Sequence, residues 1–117
     1  MNTSHTTLSM TLNECPKPLH RAGQRAYEIV SRVLREHGAT YTGGCTTFYS
    51  PKSWKERREK YGLESVLIVV YDGGDVSRAF RMDDEDYALW ETMAAALEAG
   101  GLYAEECTSW YSAIYER

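Results

Sequence analysis

Six consecutive apolar residues at 66–71, VLIVVY, constrain the fold of this 117-residue chain more than any other feature. The run is mostly β-branched and too short for a buried helix, so residues 65–71 read as a strand with no polar face. Such a strand needs cover on both sides, which calls for a sheet with packed layers above and below it. A chain of this length supplies one core of that kind and buries about two-thirds of its unfolded surface in it. The run is far shorter than the roughly 20 residues of a membrane helix. The opening MNTSHTTLSM has neither the basic start nor the apolar stretch of a secretory signal, so a cytoplasmic location is expected.

The elements around that strand follow from spacing. Residues 1–19 are rich in Ser and Thr, include Pro16 and Pro18, and lack a hydrophobic period, so they read as a flexible arm ahead of a single domain at 20–117. Over 21–37, Ala22, Ala26, Ile29, Val30, Val33 and Leu34 recur at three- and four-residue steps, an amphipathic helix ended by Gly38. Residues 41–49 read as a strand with a bulge at Gly43 and Gly44. Ser50 and Pro51 then open a short basic helix to about 61. Asp72-Gly73-Gly74-Asp75 gives a hairpin signal into a strand at 76–82. Asp83 or Asp84 caps a helix to about 99, with Tyr87, Trp90, Met93, Ala94 and Leu97 on one face. Residues 102–115 read as a last strand kinked at Glu105 and Glu106.

The expected fold is therefore α+β, a mostly antiparallel four-stranded sheet with two main helices and a short third. After the first helix the string β-α-β-β-α-β has the order of ferredoxin-like sandwiches. If the short basic helix is a loop excursion, the core becomes a three-stranded meander with a fourth strand added.

Charge divides along this frame. Residues 1–62 carry ten Lys/Arg against five Asp/Glu and residues 63–117 three against twelve, so the halves stand at +5 and −9 within a total of −4. Such a split steers charged partners. The acids Asp72, Asp75, Asp83, Asp86, Glu105 and Glu106 are too many to be helix caps alone, and a patch this dense can imitate nucleic-acid phosphates on a basic groove. Tyr103, Trp110 and Tyr111 are the candidate contact anchors, since interface energy concentrates in Tyr, Trp and Arg. The competing reading makes the chain itself a nucleic-acid binder. It would use Lys52, Lys55, Arg57, Arg58 and Lys60 on phosphate and Trp54 on a base. A pI near 5.4 weakens that reading.

Catalytic signals are sparse. Cys45 follows two glycines, and His20 or His37 could serve as its base, yet nothing in their spacing links them. Three cysteines, Cys15, Cys45 and Cys107, fit free thiols better than a disulfide framework. No Cys/His pair has zinc-ligand spacing, so neither a metal nor a cofactor is expected.

With its −9 half, its free cysteines and its Tyr/Trp-rich segments 41–54 and 103–115, the chain resembles the small acidic α+β proteins with which bacteriophages and mobile elements disable host defences, anti-CRISPR proteins among them. Those proteins share no common motif, so the resemblance assigns no individual residue, and the basic segment 52–60 departs from a uniformly acidic mimic. What it implies is a non-enzymatic inhibitor that binds a basic nucleic-acid-handling protein such as a Cas subunit and blocks access of nucleic acid or of a partner subunit.

Overall fold

In the computed structural model, which describes residues 11–82 and 86–117, chain order gives α1 (Arg21–Glu36), β1 (Phe48–Tyr49), α2 (Pro51–Glu56) and β2 (Leu67–Val70). A 3₁₀ turn (Val76–Ala79), α3 (Tyr87–Ala99), β3 (Leu102–Thr108) and β4 (Tyr111–Glu116) follow. The strands form one sheet in the order β1-β2-β4-β3, with every neighbouring pair antiparallel. The α+β class, the four-stranded sheet and the two main helices with a short third are as the sequence implies.

All four residues of β2 are buried, because each face of the sheet has its own cover. Leu67 and Val69 point with Phe48 and Ile114 toward α1 and α3, where they meet Val30, Leu34, Met93 and Leu97. Ile68 and Val70 point the other way with Tyr111 and Ala113, onto Trp54 of α2. The contact between α1 and β2 is close enough to require glycine: a Cβ on Gly23 would lie 2.5 Å from the Val66 carbonyl oxygen.

Several elements differ from the sequence expectation. Residues 41–47 do not form a strand. Gly43 and Gly44 both take positive φ, and the Cys45 amide turns back to the Thr42 carbonyl. Segment 76–82 is not a strand either, since Val76, Ala79 and Phe80 are the buried positions, a helical step. Gly73 and Gly74 do adopt positive φ, but Asp75 N–H bonds to the Tyr41 carbonyl (2.7 Å), which ties this loop to the 41–44 loop. A Cβ on Gly74 would collide with the Tyr41 and Thr42 backbone. The kinked strand over 102–115 is two strands, β3 and β4, joined through Ser109 and Trp110 with a register shift between Glu106 and Thr108. The element order is thus β-α-β-α-β-β after α1, and not the β-α-β-β-α-β of a ferredoxin-like sandwich.

The helices also shift. Helix α2 stops at Glu56 because Arg58 takes φ 65°, a left-handed position that ends the helical path. Asp86 caps α3 by accepting from Leu89 N–H (3.1 Å), while Asp83 and Asp84, the caps the sequence proposes, lie outside the described residues. The buried stripe of α3 is Leu89, Met93 and Leu97, so Trp90 is half-buried and Tyr87 exposed. Of the arm expected at 1–19, residues 11–19 are docked on the domain. The Asn13 amide oxygen accepts from Thr47 N–H (3.0 Å) and Phe48 N–H (2.8 Å), and its Nδ2 donates to the Phe48 carbonyl (3.0 Å). One side chain thereby covers the outer edge of the two-residue strand β1.

Candidate protein-binding face

The acids and aromatics singled out in the sequence fall in four places. Asp75 and Asp86 flank Arg78, at 4.0 Å and 2.8 Å from its guanidinium. That guanidinium, with the Leu89 amide, holds the Asp86 carboxyl below the ordinary carboxylate range. Asp72 and Trp110 line a polar cleft of about 540 Å³ together with Arg57 and Arg81, so the first two share their site with cations. Tyr103, Glu105 and Glu106 lie on β3, all exposed. Asp83 lies outside the described residues.

Tyr111 belongs to the core and cannot anchor a partner. It is buried, and its hydroxyl accepts from Tyr61 N–H and donates to the Tyr61 carbonyl, both at 3.2 Å. Alternation in β4 puts it on the face that Trp54 covers.

The basic set meets a similar correction. Trp54 is fully buried, with its ring centroid 4.9 Å from that of Tyr49 and 4.8 Å from that of Tyr111, so it offers no face to a base. Arg57 spreads its guanidinium over Trp54 (4.8 Å) and Tyr49 (5.1 Å) and pairs with Glu59 (3.3 Å). Lys52 pairs with Glu56 one turn on (2.9 Å). Lys55, Arg58 and Lys60 are exposed.

The surroundings of Cys45 favour the protonated thiol. Burial pushes its thiol up, the neighbouring Asp72 charge adds to the rise, and its Sγ donates to the Thr42 carbonyl (3.2 Å). His37 Nδ1 lies 3.0 Å from the Val33 carbonyl, and His20 lines a separate cavity beside Lys52. Among the described residues no group of three or more metal-ligating side chains occurs, and no helix is long and apolar enough to cross a membrane.

The outer edge of the sheet gathers what remains. Beside β3 runs a groove of about 400 Å³ toward α3, lined by Phe80, Met82, Trp90, Met93, Ala94 and Ala104. Met82 is 55% and Tyr103 41% exposed, and Tyr103 stacks on Tyr115 with Arg117 over its free face. Glu106 reaches Arg81 at 3.3 Å. Burial, reinforced by the Cys107 and Glu105 charges, raises the Tyr115 phenol to about 12. Met82, Trp90 and Ala104 were not legible as site residues. Met82 lies in an expected strand and Trp90 on an expected core face, so the sequence pattern marks neither as exposed. No protein-family model matches the chain, and no curated protein or solved structure is significantly similar to it.

Proposed function

We propose that this chain is a non-enzymatic inhibitor that binds a basic nucleic-acid-handling protein through its acidic outer edge, in keeping with the anti-CRISPR resemblance and with a Cas component as the partner class. One observation carries the reading. The sequence from Asp86 to the last residue, which forms α3, β3 and β4, holds six carboxylates and one guanidinium, and it borders exposed Tyr103, Met82 and the groove beside them. Exposed aromatic and apolar side chains beside Glu98, Glu105 and Glu106, with Arg81 on Glu106 and Arg117 over Tyr103 as the cations among them, suit a protein partner of mainly opposite sign. The raised Cys45 thiol supports binding over catalysis, and the burial of Trp54 weighs against the nucleic-acid reading.

The test is inhibition of nucleic-acid binding by a panel of purified Cas effector complexes, read as loss of their gel shift. The wild-type chain should abolish the shift for at least one complex, and the double variant Glu105→Lys/Glu106→Lys should need at least tenfold more protein to do so. Arg57→Glu/Arg58→Glu should behave as wild type. Inhibition of no complex, together with a direct DNA or RNA shift that falls steeply with salt, would establish the basic helix as the site instead.

A further inference from the structure

The outward rim of β3 can be specified group by group. Arg117 N–H donates to the Gly101 carbonyl (2.9 Å), and the register continues Leu102↔Glu116, Tyr103↔Tyr115, Ala104↔Ile114 and Glu105↔Ala113. Antiparallel bonding alternates, so Tyr103 and Glu105 exchange bonds with β4 while Leu102, Ala104 and Glu106 turn their N–H and C=O groups outward. At seven residues β3 is the longest strand of the sheet, and it stands at the edge. Edge strands are ordinarily kept short or covered, because an open rim is a template for another strand. Here the rim adjoins the apolar groove.

We infer that β3 accepts an extended segment of a basic partner protein as a fifth strand. The inference rests on the proposed reading that the partner is basic, and it adds the mode of recognition. Main-chain bonds to Leu102, Ala104 and Glu106 supply the pairing, and alternate side chains of the incoming strand supply specificity. An apolar side chain passing over Ala104 enters the groove between Met82 and Trp90, and Lys or Arg at the alternate positions faces Glu105. Charge selects this occupant over a second copy of the chain. Two antiparallel β3 strands centred on Glu105 or on Glu106 would set that carboxylate against its own counterpart, and like charges on paired strands are destabilising. A basic segment gives Glu105 a partner, as Arg81 already does for Glu106.

The probe is a fluorescein-labelled seven-residue peptide alternating Val and Lys, added to the intact protein at low salt. Three comparisons go with it: a Val/Glu version, a version N-methylated on alternate residues, and the variant Ala104→Pro. That variant removes one outward N–H at a position without a ladder bond, where an edge strand tolerates proline. The Val/Lys peptide should slow amide exchange at Ala104 and Glu106 at least tenfold. N-methylation of the peptide and Ala104→Pro should each weaken binding at least tenfold. If Ala104→Pro alters the far-ultraviolet circular dichroism, the N-methylated peptide on the wild-type protein decides. Equal binding of the N-methylated or Val/Glu peptide overturns strand addition. So does a dimer in sedimentation that Ala104→Pro dissolves, since the occupant is then a second copy. Cas inhibition that survives Ala104→Pro removes the strand mode and leaves the inhibitor reading. Peptide binding without inhibition of any Cas complex does the reverse.

Discussion

Replacing Asn13 with Ala should cost more stability than any other single change in the segment 11–19. The side chain serves two backbone donors, Thr47 N–H and Phe48 N–H, and two acceptors, the Phe48 carbonyl and the exposed Glu14 carbonyl, at 2.8–3.1 Å. Thr47 and Phe48 are buried, so their backbone groups have little access to replacement water. A net hydrogen bond is worth about 1 kcal/mol, and an orphaned buried group costs about 1–3 kcal/mol, so the sum for a partly wetted edge is about 2–4 kcal/mol. Asn13→Asp keeps the acceptor for both amides and loses the donors to the Phe48 carbonyl and to the exposed Glu14 carbonyl, so it should cost about half as much. With a urea slope near 2 kcal/mol/M, Asn13→Ala lowers the unfolding midpoint by about 1–2 M and Asn13→Asp by about half of that. Circular dichroism at 222 nm follows the transition. A midpoint for Asn13→Ala within about 0.2 M of wild type would show that the docking of this segment on β1 adds nothing to the fold. An Asp variant worse than the Ala variant would show that the amide oxygen is not the group that matters.

Five further outcomes follow from the packing and the charges. Trp54→Ala should destabilise by about 3–5 kcal/mol in the same melts, since it empties the centre of the layer under the sheet; an unchanged midpoint would refute its central place there. Gly23→Ala should cost about 1–3 kcal/mol through the collision with the Val66 carbonyl, and a neutral or stabilising effect would mean that α1 can lift from β2 freely. Burial, with the Glu105 charge in support, pushes the Cys107 thiol up to about 11, so iodoacetamide at neutral pH should label it roughly hundredfold more slowly than in the unfolded chain. A variant with Cys15, Cys45 and Cys107 replaced by Ser should inhibit as wild type does. Asp86 is held low in the folded state by Arg78 and the Leu89 amide, so its contribution is present above the unfolded carboxyl value and is lost as pH falls through the lower folded one. Asp86→Asn should therefore flatten the acid dependence of the urea midpoint below about pH 4, and an unchanged acid limb would count against the Arg78 contact.

Elements with a strong period were legible and elements defined by distant partners were not. The stripe Ala22, Ala26, Val30, Val33 and Leu34 is the buried face of α1, and the run 66–71 contains the inner strand. Segment 76–82 misled because its aliphatic and aromatic content favours strands, while its buried positions Val76, Ala79 and Phe80 step as a helix turn does. Strand β3 was obscured because four of its seven residues are exposed in succession, which erases the alternation that marks a half-buried strand. Asn13 gives no local signal: its partners lie more than 30 residues away, and the same residue in a Ser/Thr-rich stretch ordinarily marks a turn. The candidate site divides in the same way. Exposed Tyr103, Glu105 and Glu106 could be named from chemistry alone. Burial of Trp54 and Tyr111 depended on which face of the sheet α2 would choose.

The sheet order β1-β2-β4-β3 also bears on how the chain assembles. Its β3–β4 pair is a local hairpin closed through Ser109 and Trp110, but β2 meets β4 only after the whole segment 71–110 has been looped out between Val70 and Tyr111. Closing so long a loop is an entropic search, whereas a tight hairpin forms in microseconds. The late event is thus the insertion of β2 beside β4, which completes both layers at once. Until then the hairpin presents two open rims, the outer one with Glu105 and Glu106 beside it and the inner one without a charged side chain between Tyr111 and Tyr115. During folding it is therefore the inner rim, hidden in the finished molecule, that is most exposed to wrong pairing with another chain.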